Sequence, residues 1–406
     1  MGAMAPLILS HYTAASALGT GLDETHRALR NRRSGLRPCD FEDVRLNTYI
    51  GRADGLENVE LGCGLTATGL DQFDCRNNRL ALLALRQDGF IQATMEARDR
   101  YEPHRVAVIL GSSTSGILET EHAYGDRDPA TGALPASYLT RHRYTHNMFS
   151  AAHFVRAYLG LRGPAMVIST ACSSSAKAFT TAARFIAAGY CDAAVVGGVD
   201  SLCQTILYGF ASLELMSPSP CRPCDEDRDG LSLGESAGFA LLEKAELKTQ
   251  PGAVALLGYG ESCDGYHMSH PHPEGAGAIK AMQGALARSG LKPADIDYIN
   301  LHGTATRAND SIEGKAVSSL FGPSTPCSST KGWTGHTLGA AGIMGAVIAA
   351  LCLTRSFVPG TLNTTRVDPG LRCRVLLGNQ EQPIQRVLSN TFGFGGNNCS
   401  LILGTV

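Results

Sequence analysis

Apolar residues in this chain gather in short runs separated by glycine-containing loops. The runs 105–110, 165–170, 193–199, 296–301 and 386–389 are β-prone. Between them lie longer helix-like stretches, and alternation of the two predicts a layered α/β fold. Two of the helical stretches are unusually apolar. The first extends to about Tyr190 and carries only Lys177 and Arg184 as charges. The second, 337–354, has almost no charge before Arg355. Helices that are apolar all round are expected to be buried. Each follows a loop with reactive side chains: Cys172 in one case, Lys331 and His336 in the other. The order strand, reactive loop, buried helix, apolar strand therefore occurs twice, which places both loops near one centre. A polar stretch with Pro and Gly, 248–252, divides the chain into a half at 1–247 with Cys172 and a half at 248–406 with His302, Lys331 and His336.

Composition narrows the options. With 406 residues, 44% hydrophobic and 18% charged, the chain can bury a large core. A net charge of −2 gives no global field favouring nucleic acid or membrane. No uninterrupted apolar run reaches about 18 residues, so no membrane span is expected. No basic start precedes an apolar segment, so the expectation is a cytoplasmic protein. The 13 cysteines are scattered through apolar segments, which argues for free thiols. Cys221 and Cys224 form a lone CxxC without a second pair at zinc spacing, and no metal is expected there or at His267, His270 and His272. Gly393–Gly396 lacks the Lys-Ser/Thr of a phosphate loop. Arg27, Arg30, Arg32, Arg33 and Arg37 form one basic cluster, read as a solvated helix end or a docking surface for an acidic carrier.

The candidate chemistry is a Cys-His-His set. Cys172 stands where a strand turns into a helix, and a thiolate there is expected to have a lowered pKa. Cys172 would take an acyl group as a thioester. Neutral His302 and His336 could each donate a ring N–H to a thioester carbonyl and stabilise an enolate as CO₂ leaves. Lys331 would set the local charge and keep a histidine neutral. Phe392 and Phe394 lie in a glycine-rich loop, where they could gate an apolar tunnel or serve as core aromatics.

Taken together, 170–175, 302–306, 331–342 and 390–398 resemble the elongating β-ketoacyl-acyl carrier protein synthases, and the block 222–238 adds to the likeness. The resemblance implies a thiolase-like five-layered αβαβα fold of two pseudo-symmetric halves, and a dimer, either of identical chains or with a chain-length factor. It implies decarboxylative condensation of an acyl thioester with malonyl-acyl carrier protein through an acyl-Cys172 intermediate, in fatty-acid or type II polyketide or polyene biosynthesis. No cofactor is implied beyond the carrier's phosphopantetheine arm. Backbone N–H groups of Cys172 and Phe394 match the oxyanion hole. Thr304 and Thr306 match pantetheine contacts, Phe394 with Phe392 the gate, Thr114 a pocket-limiting position, and Asp310 and Glu313 supporting acids.

Three positions depart from the family's pattern. Gly345 stands where a Glu usually partners the lysine, Cys224 replaces a Phe, and Asn397 replaces a Thr. Lys331 then needs another acid, with Glu313 the candidate. These departures point to a specialised synthase. A thiolase is disfavoured, because Cys399 is followed by Ser and Leu and not by the Cys-x-Gly setting of a second catalytic cysteine. A starter-condensing enzyme, which pairs Cys with His and Asn, is disfavoured by His336. The alternative kept open is a non-catalytic chain-length partner of a synthase heterodimer.

Overall fold

The computed structural model describes residues 2–61, 69–245 and 251–406. Residues 248–250 of the expected boundary lie outside the described residues. Ten strands build the body: β1 (Leu7–Ser16), β2 (Val106–Gly111), β3 (Ala165–Ile168), β4 (Ala193–Asp200), β5 (Ser236–Lys244), β6 (Val254–Cys263), β7 (Tyr298–Asn300), β8 (Pro326–Ser328), β9 (Arg386–Gly393) and β10 (Asn397–Thr405). They follow the order β8-β7-β9-β10-β6-β1-β5-β4-β2-β3. Counted inward, each half has the same plan of third, second, fourth, fifth and first strand; in the second half a two-residue strand, Arg374–Val375, is added outside β8. The pairing senses match as well. β2 is parallel to β3 and β4, as β7 is to β8 and β9. The remaining neighbours in both halves are antiparallel. The halves join where β1 meets β6, through Leu7↔Leu256 and Ile8↔Ala255. The duplication hinted at by the repeated element order is thus explicit in the topology.

Helices cover and separate these half-sheets. α1 (Arg76–Leu85), α2 (Phe90–Tyr101) and α3 (Ser150–Tyr158) pack on the outer face of the first half. α4 (Ser174–Ala187) lies in the centre, and α5 (Gln204–Ser212) flanks the cleft described below. α6 (Ala276–Ser289) and α7 (Arg307–Phe321) cover the second half. α8 (Lys331–Thr334) is a single turn, and α9 (Ala341–Arg355) returns to the centre against α4. The result is the five-layered αβαβα thiolase architecture. Strands between two helix layers must be apolar on both faces. Along β2, Val106, Val108 and Leu110 face the outer core while Ala107 and Ile109 face the central one.

The second apolar stretch is not one uninterrupted helix. It opens with a 3₁₀ turn at Leu338–Ala340 and becomes α-helical at Ala341, because Leu338 has a left-handed backbone (φ 54°). The first ends at Ala187, before Gly189 (φ 78°), short of Tyr190. Leu338–Arg355 is apolar and long enough to cross a membrane by composition, but 83% of it is buried inside the protein. It is the central helix of the core.

The two central helices meet at Gly342. A Cβ there would lie 2.3 Å from the backbone N of Ala176. Gly342→Ala is therefore expected to destabilise the fold by about 2 kcal/mol or more through forced separation of α4 and α9. Gly209→Ala in α5, where nothing lies within 4 Å of the added carbon, is expected to be neutral or to stabilise by up to about 1 kcal/mol. Denaturant midpoints of the two variants check this; equal midpoints would contradict it.

Candidate active site

β2 with β3 in the first half, and β7 with β8 in the second, form two parallel pairs, and the loops after β3, β7 and β8 carry the reactive side chains, at the carboxyl ends of strands where α/β folds place their ligands. After β3 the chain reverses at Ala171, whose φ is 51°. The side chains of Ser173 and Ser174 tie the elbow by donating to the carbonyls of Thr170 (2.9 Å) and Ala171 (2.5 Å). This leaves Cys172 two residues before α4 and 6% exposed. After β7 comes His302, and after β8 come Lys331 and His336.

The three reactive side chains converge. His336 Nε2 lies 3.0 Å from Cys172 Sγ. One nitrogen of each ring and the sulfur all lie within 4.8 Å of one another. The imidazole rings stand 5.3 Å apart at 86°. Backbone fixes the tautomer of His336: the Leu338 N–H donates to Nδ1 at 3.1 Å, so a neutral ring carries its proton on Nε2, facing the sulfur. The Lys331 ammonium donates to the carbonyl of His302 and lies 3.4 Å from its Nδ1. An ammonium so placed makes Nδ1 the acceptor and leaves Nε2–H as donor. Burial pushes both histidine pKa values well below the ordinary value, and the charge of Lys331 lowers them further. Three such ligand atoms could also chelate a metal, but the adjacent ammonium repels a cation.

The thiol departs from expectation. Burial pushes the Cys172 pKa up to about 11, although Lys331 and the N–H groups of Phe394 and Cys172 itself act in the opposite direction. The expected lowering by the helix is outweighed by desolvation. Those same N–H groups mark where an oxyanion hole would form. Gly393 permits it: a Cβ at this position would meet Thr170 O at 2.9 Å and Cys172 N at 3.2 Å.

The supporting acids sit behind the histidines. Glu313 accepts the backbone N–H of His302 and of Gly303, both at 2.8 Å, and the Asn390 side chain at 3.2 Å. Burial raises its pKa to about 7. It acts on Lys331 through space; among the described residues Lys331 makes no ion pair with a carboxylate. Asp310 accepts from Cys224 N at 2.8 Å and Ala305 N at 3.2 Å. Gly345 faces Ser389 and Asn300: a Cβ there would meet Ser389 Oγ at 2.6 Å and Asn300 Nδ2 at 2.9 Å, so these residues occupy the space in front of it. The CxxC pair is drawn into the same region, with Cys221 Sγ 3.3 Å from the Lys331 carbonyl.

A cleft of about 400 Å³ reaches Cys172, His302 and His336 from the surface. Thr304, Thr306, Phe392 and Phe394 line it, and the two threonine hydroxyls are 2.9 Å apart. The Phe394 ring stacks on Phe210 of α5 at 5.7 Å, a partner that sequence reasoning missed. Two backbone hydrogen bonds strap the Phe394 loop to the segment 264–268: Gly395 N to Met268 O (2.7 Å) and Asp264 N to Gly396 O (2.9 Å). Asn397, at the departure from Thr, accepts from Lys177 Nζ at 3.0 Å. Thr114 does not line the cleft; its N–H and hydroxyl both donate to Asp200. None of Arg27, Arg30, Arg32, Arg33 and Arg37 lines it either, and Arg30 and Arg37 pair with Glu381 and Asp54. His267, His270 and His272 lie in a surface loop, with the Nδ1 atoms of His267 and His270 3.2 Å apart.

The fold and this thiol-imidazole centre define a thiolase-fold condensing enzyme. Comparison with known proteins narrows the class. Residues 12–248 match the β-ketoacyl synthase N-terminal domain and residues 253–365 the β-ketoacyl synthase C-terminal domain. The chain belongs to the β-ketoacyl synthase family and is an acyltransferase of that class. It is 34% identical to 3-oxoacyl-[acyl-carrier-protein] synthase 2 of Coxiella burnetii, covering 98% of each chain. It is 43% identical to the enzyme of the same name from Rhizobium meliloti over 60% of this chain and 61% of that one. Among solved structures it resembles a chain of the complex of the Xenorhabdus doucetiae ketosynthase ApeO with its chain length factor ApeC. That likeness has a TM-score of 0.87 and 38% identity, covering 99% of this chain and 98% of the other. The ishigamide ketosynthase/chain length factor gives a TM-score of 0.88 at 27% identity, with full coverage of both chains.

A thiol with a pKa near 11 stays protonated at neutral pH. Its alkylation rate by iodoacetamide is expected to rise about tenfold per pH unit from pH 7 to 9.5 without a plateau. The segment 163–177 contains Cys172 as its sole cysteine, so tryptic mass spectrometry reads this site alone. A plateau below pH 9 would contradict the dominance of burial.

Proposed function

We propose that this enzyme joins an acyl group held on Cys172 to a malonyl unit delivered on the phosphopantetheine arm of an acyl carrier protein. The observation that supports it most strongly is the pair of neutral imidazoles beside one thiol, with His336 fixed as an Nε2–H donor. In the first half-reaction the Cys172 sulfur attacks the acyl thioester. The tetrahedral oxyanion takes the N–H groups of Cys172 and Phe394, the carrier sulfur leaves, and the thiol proton passes to it. In the second, the malonyl thioester occupies the cleft beside Thr304 and Thr306 with its carbonyl between His302 and His336. The bond to the carboxylate breaks, CO₂ departs, and its electron pair forms an enolate held by the two N–H donors. The enolate carbon attacks the acyl-enzyme carbonyl, and the Cys172 sulfur leaves as a thiolate and takes a proton from solvent water. Phe394 and Phe210 close the acyl side of the cleft between the two steps.

The likeness to chains of two ketosynthase/chain length factor structures supports a heterodimeric partner and a type II polyketide or polyene pathway. The edge of the first half-sheet is suited to a partner: β3 is its terminal strand, and Ala165, Met166, Val167 and Ile168 are only half-buried. The role of a non-catalytic chain-length subunit fits poorly with a cysteine aligned on His336.

Incubation with acyl-acyl carrier protein is expected to add one acyl mass to the segment 163–177, and subsequent malonyl-acyl carrier protein to release the β-ketoacyl product. Cys172→Ala removes both. Absence of the adduct in the wild-type protein, alone and with a co-expressed chain length factor, would contradict the proposal and favour the non-catalytic role.

A further inference from the structure

We propose that Asp200 is a positioning residue for the condensation: it anchors the turn that follows His336 and so keeps the His336 ring presenting Nε2–H to the cleft. The inference rests on the function proposed above, but its geometry is independent of any substrate. Asp200 is the last residue of β4 and is fully buried. Its Oδ1 accepts from Ser112 Oγ (2.8 Å), Ser113 N (2.8 Å), Thr114 N (2.9 Å) and Thr114 Oγ1 (2.8 Å). Its Oδ2 accepts from Ser113 Oγ (2.6 Å) and from Gly339 N (2.6 Å). Among the described residues no cation pairs with it. A buried carboxylate held entirely by N–H and O–H donors is costly to leave short of any of them, which fixes all of those donors in place.

The donors come from opposite halves of the molecule. Ser112, Ser113 and Thr114 follow β2 in the first half; Gly339 belongs to the second. Gly339 is three residues from His336, and between them Leu338 has a left-handed backbone that a leucine adopts only under constraint. Two bonds hold that constraint. On one side Leu338 N–H donates to His336 Nδ1, and on the other Gly339 N–H donates to Asp200. The approach requires glycine at 339: a Cβ would stand 2.6 Å from Asp200 Oδ2 and 3.0 Å from Ser113 N. Loss of the carboxylate releases the Gly339 N–H, lets Leu338 relax, and removes the donor that keeps the His336 proton on Nε2.

The test is the tautomer of His336 in enzyme labelled with ¹⁵N-histidine, read in long-range ¹H–¹⁵N correlation spectra and assigned by loss of the signals in His336→Asn. The wild type is expected to show a protonated Nε2 and an unprotonated Nδ1. Asp200→Asn is expected to show tautomers in exchange. Its malonyl decarboxylation should fall at least 30-fold, and at least tenfold further than acylation of Cys172. A merely structural role would lower both reactions together. An Nδ1–H tautomer in the wild type would overturn the proposal without any variant. So would a folded Asp200→Asn with an unchanged tautomer and unchanged decarboxylation. If Asp200→Asn does not fold, Gly339→Ala probes the same contact from the other side, with the same expected and contrary outcomes. A wild-type enzyme that shows the Nε2–H tautomer but decarboxylates no malonyl thioester would overturn the proposed function and leave the positioning role of Asp200 standing.

Discussion

His302 and His336 are neutral because the interior disfavours their ionisation and the Lys331 ammonium beside them disfavours it further. Everything proposed for the site follows from that condition. A protonated His336 would lose the hydrogen bond from Leu338. A neutral one with its proton on Nε2 is a donor aimed where negative charge develops. Burial shifts the Cys172 pKa the other way with the same result, since it holds the proposed nucleophile as an uncharged thiol. One environment thus favours the uncharged form of every group that meets the substrate. In the proposed reaction, charge then arises only on the reacting atoms, where preorganised N–H groups would receive it.

The fold supplies this environment by duplication. Each half places its second and third strands parallel and adjacent, and each delivers loops to the same point. The central helices α4 and α9 bury the back of the site, and the close contact at Gly342 brings their N-terminal ends together. The reactive loops depend on both halves. His336 approaches Cys172 from the second half, while Asp200 holds the Gly339 N–H from the first.

Much of this could be read in the amino-acid sequence, for identifiable reasons. Cys172, His302, Lys331 and His336 are side chains of distinctive chemistry at the ends of apolar runs, and the two charge-poor helices announced their burial. The hydrogen bond from Leu338 N–H had no such signal, because backbone donors are present at every residue and only the turn selects one. Asp200 was hidden in the same way: its significance lies in six donors distant in sequence. The thiol's pKa was misjudged because helix position is local and legible, whereas desolvation depends on packing by the whole fold. The basic cluster of Arg27, Arg30, Arg32, Arg33 and Arg37 lies at and just beyond the end of the helix Leu22–Arg30, as the helix-end reading expected, and none of it lines the cleft. Gly345 was legible as a departure; its consequence was not. Asn300 and Ser389 fill the space in front of it, and Lys331 is balanced by Glu313 through space.

The most direct measurement is the carbonyl stretching frequency of a ¹³C-labelled, non-decarboxylating malonyl-thioester analogue bound in the cleft. Two imidazole N–H donors should shift it to lower frequency than in water. His302→Ala and His336→Ala should each restore part of that shift. A bound carbonyl whose frequency is the same in wild type and in both variants would show that the two imidazoles do not meet the substrate as described.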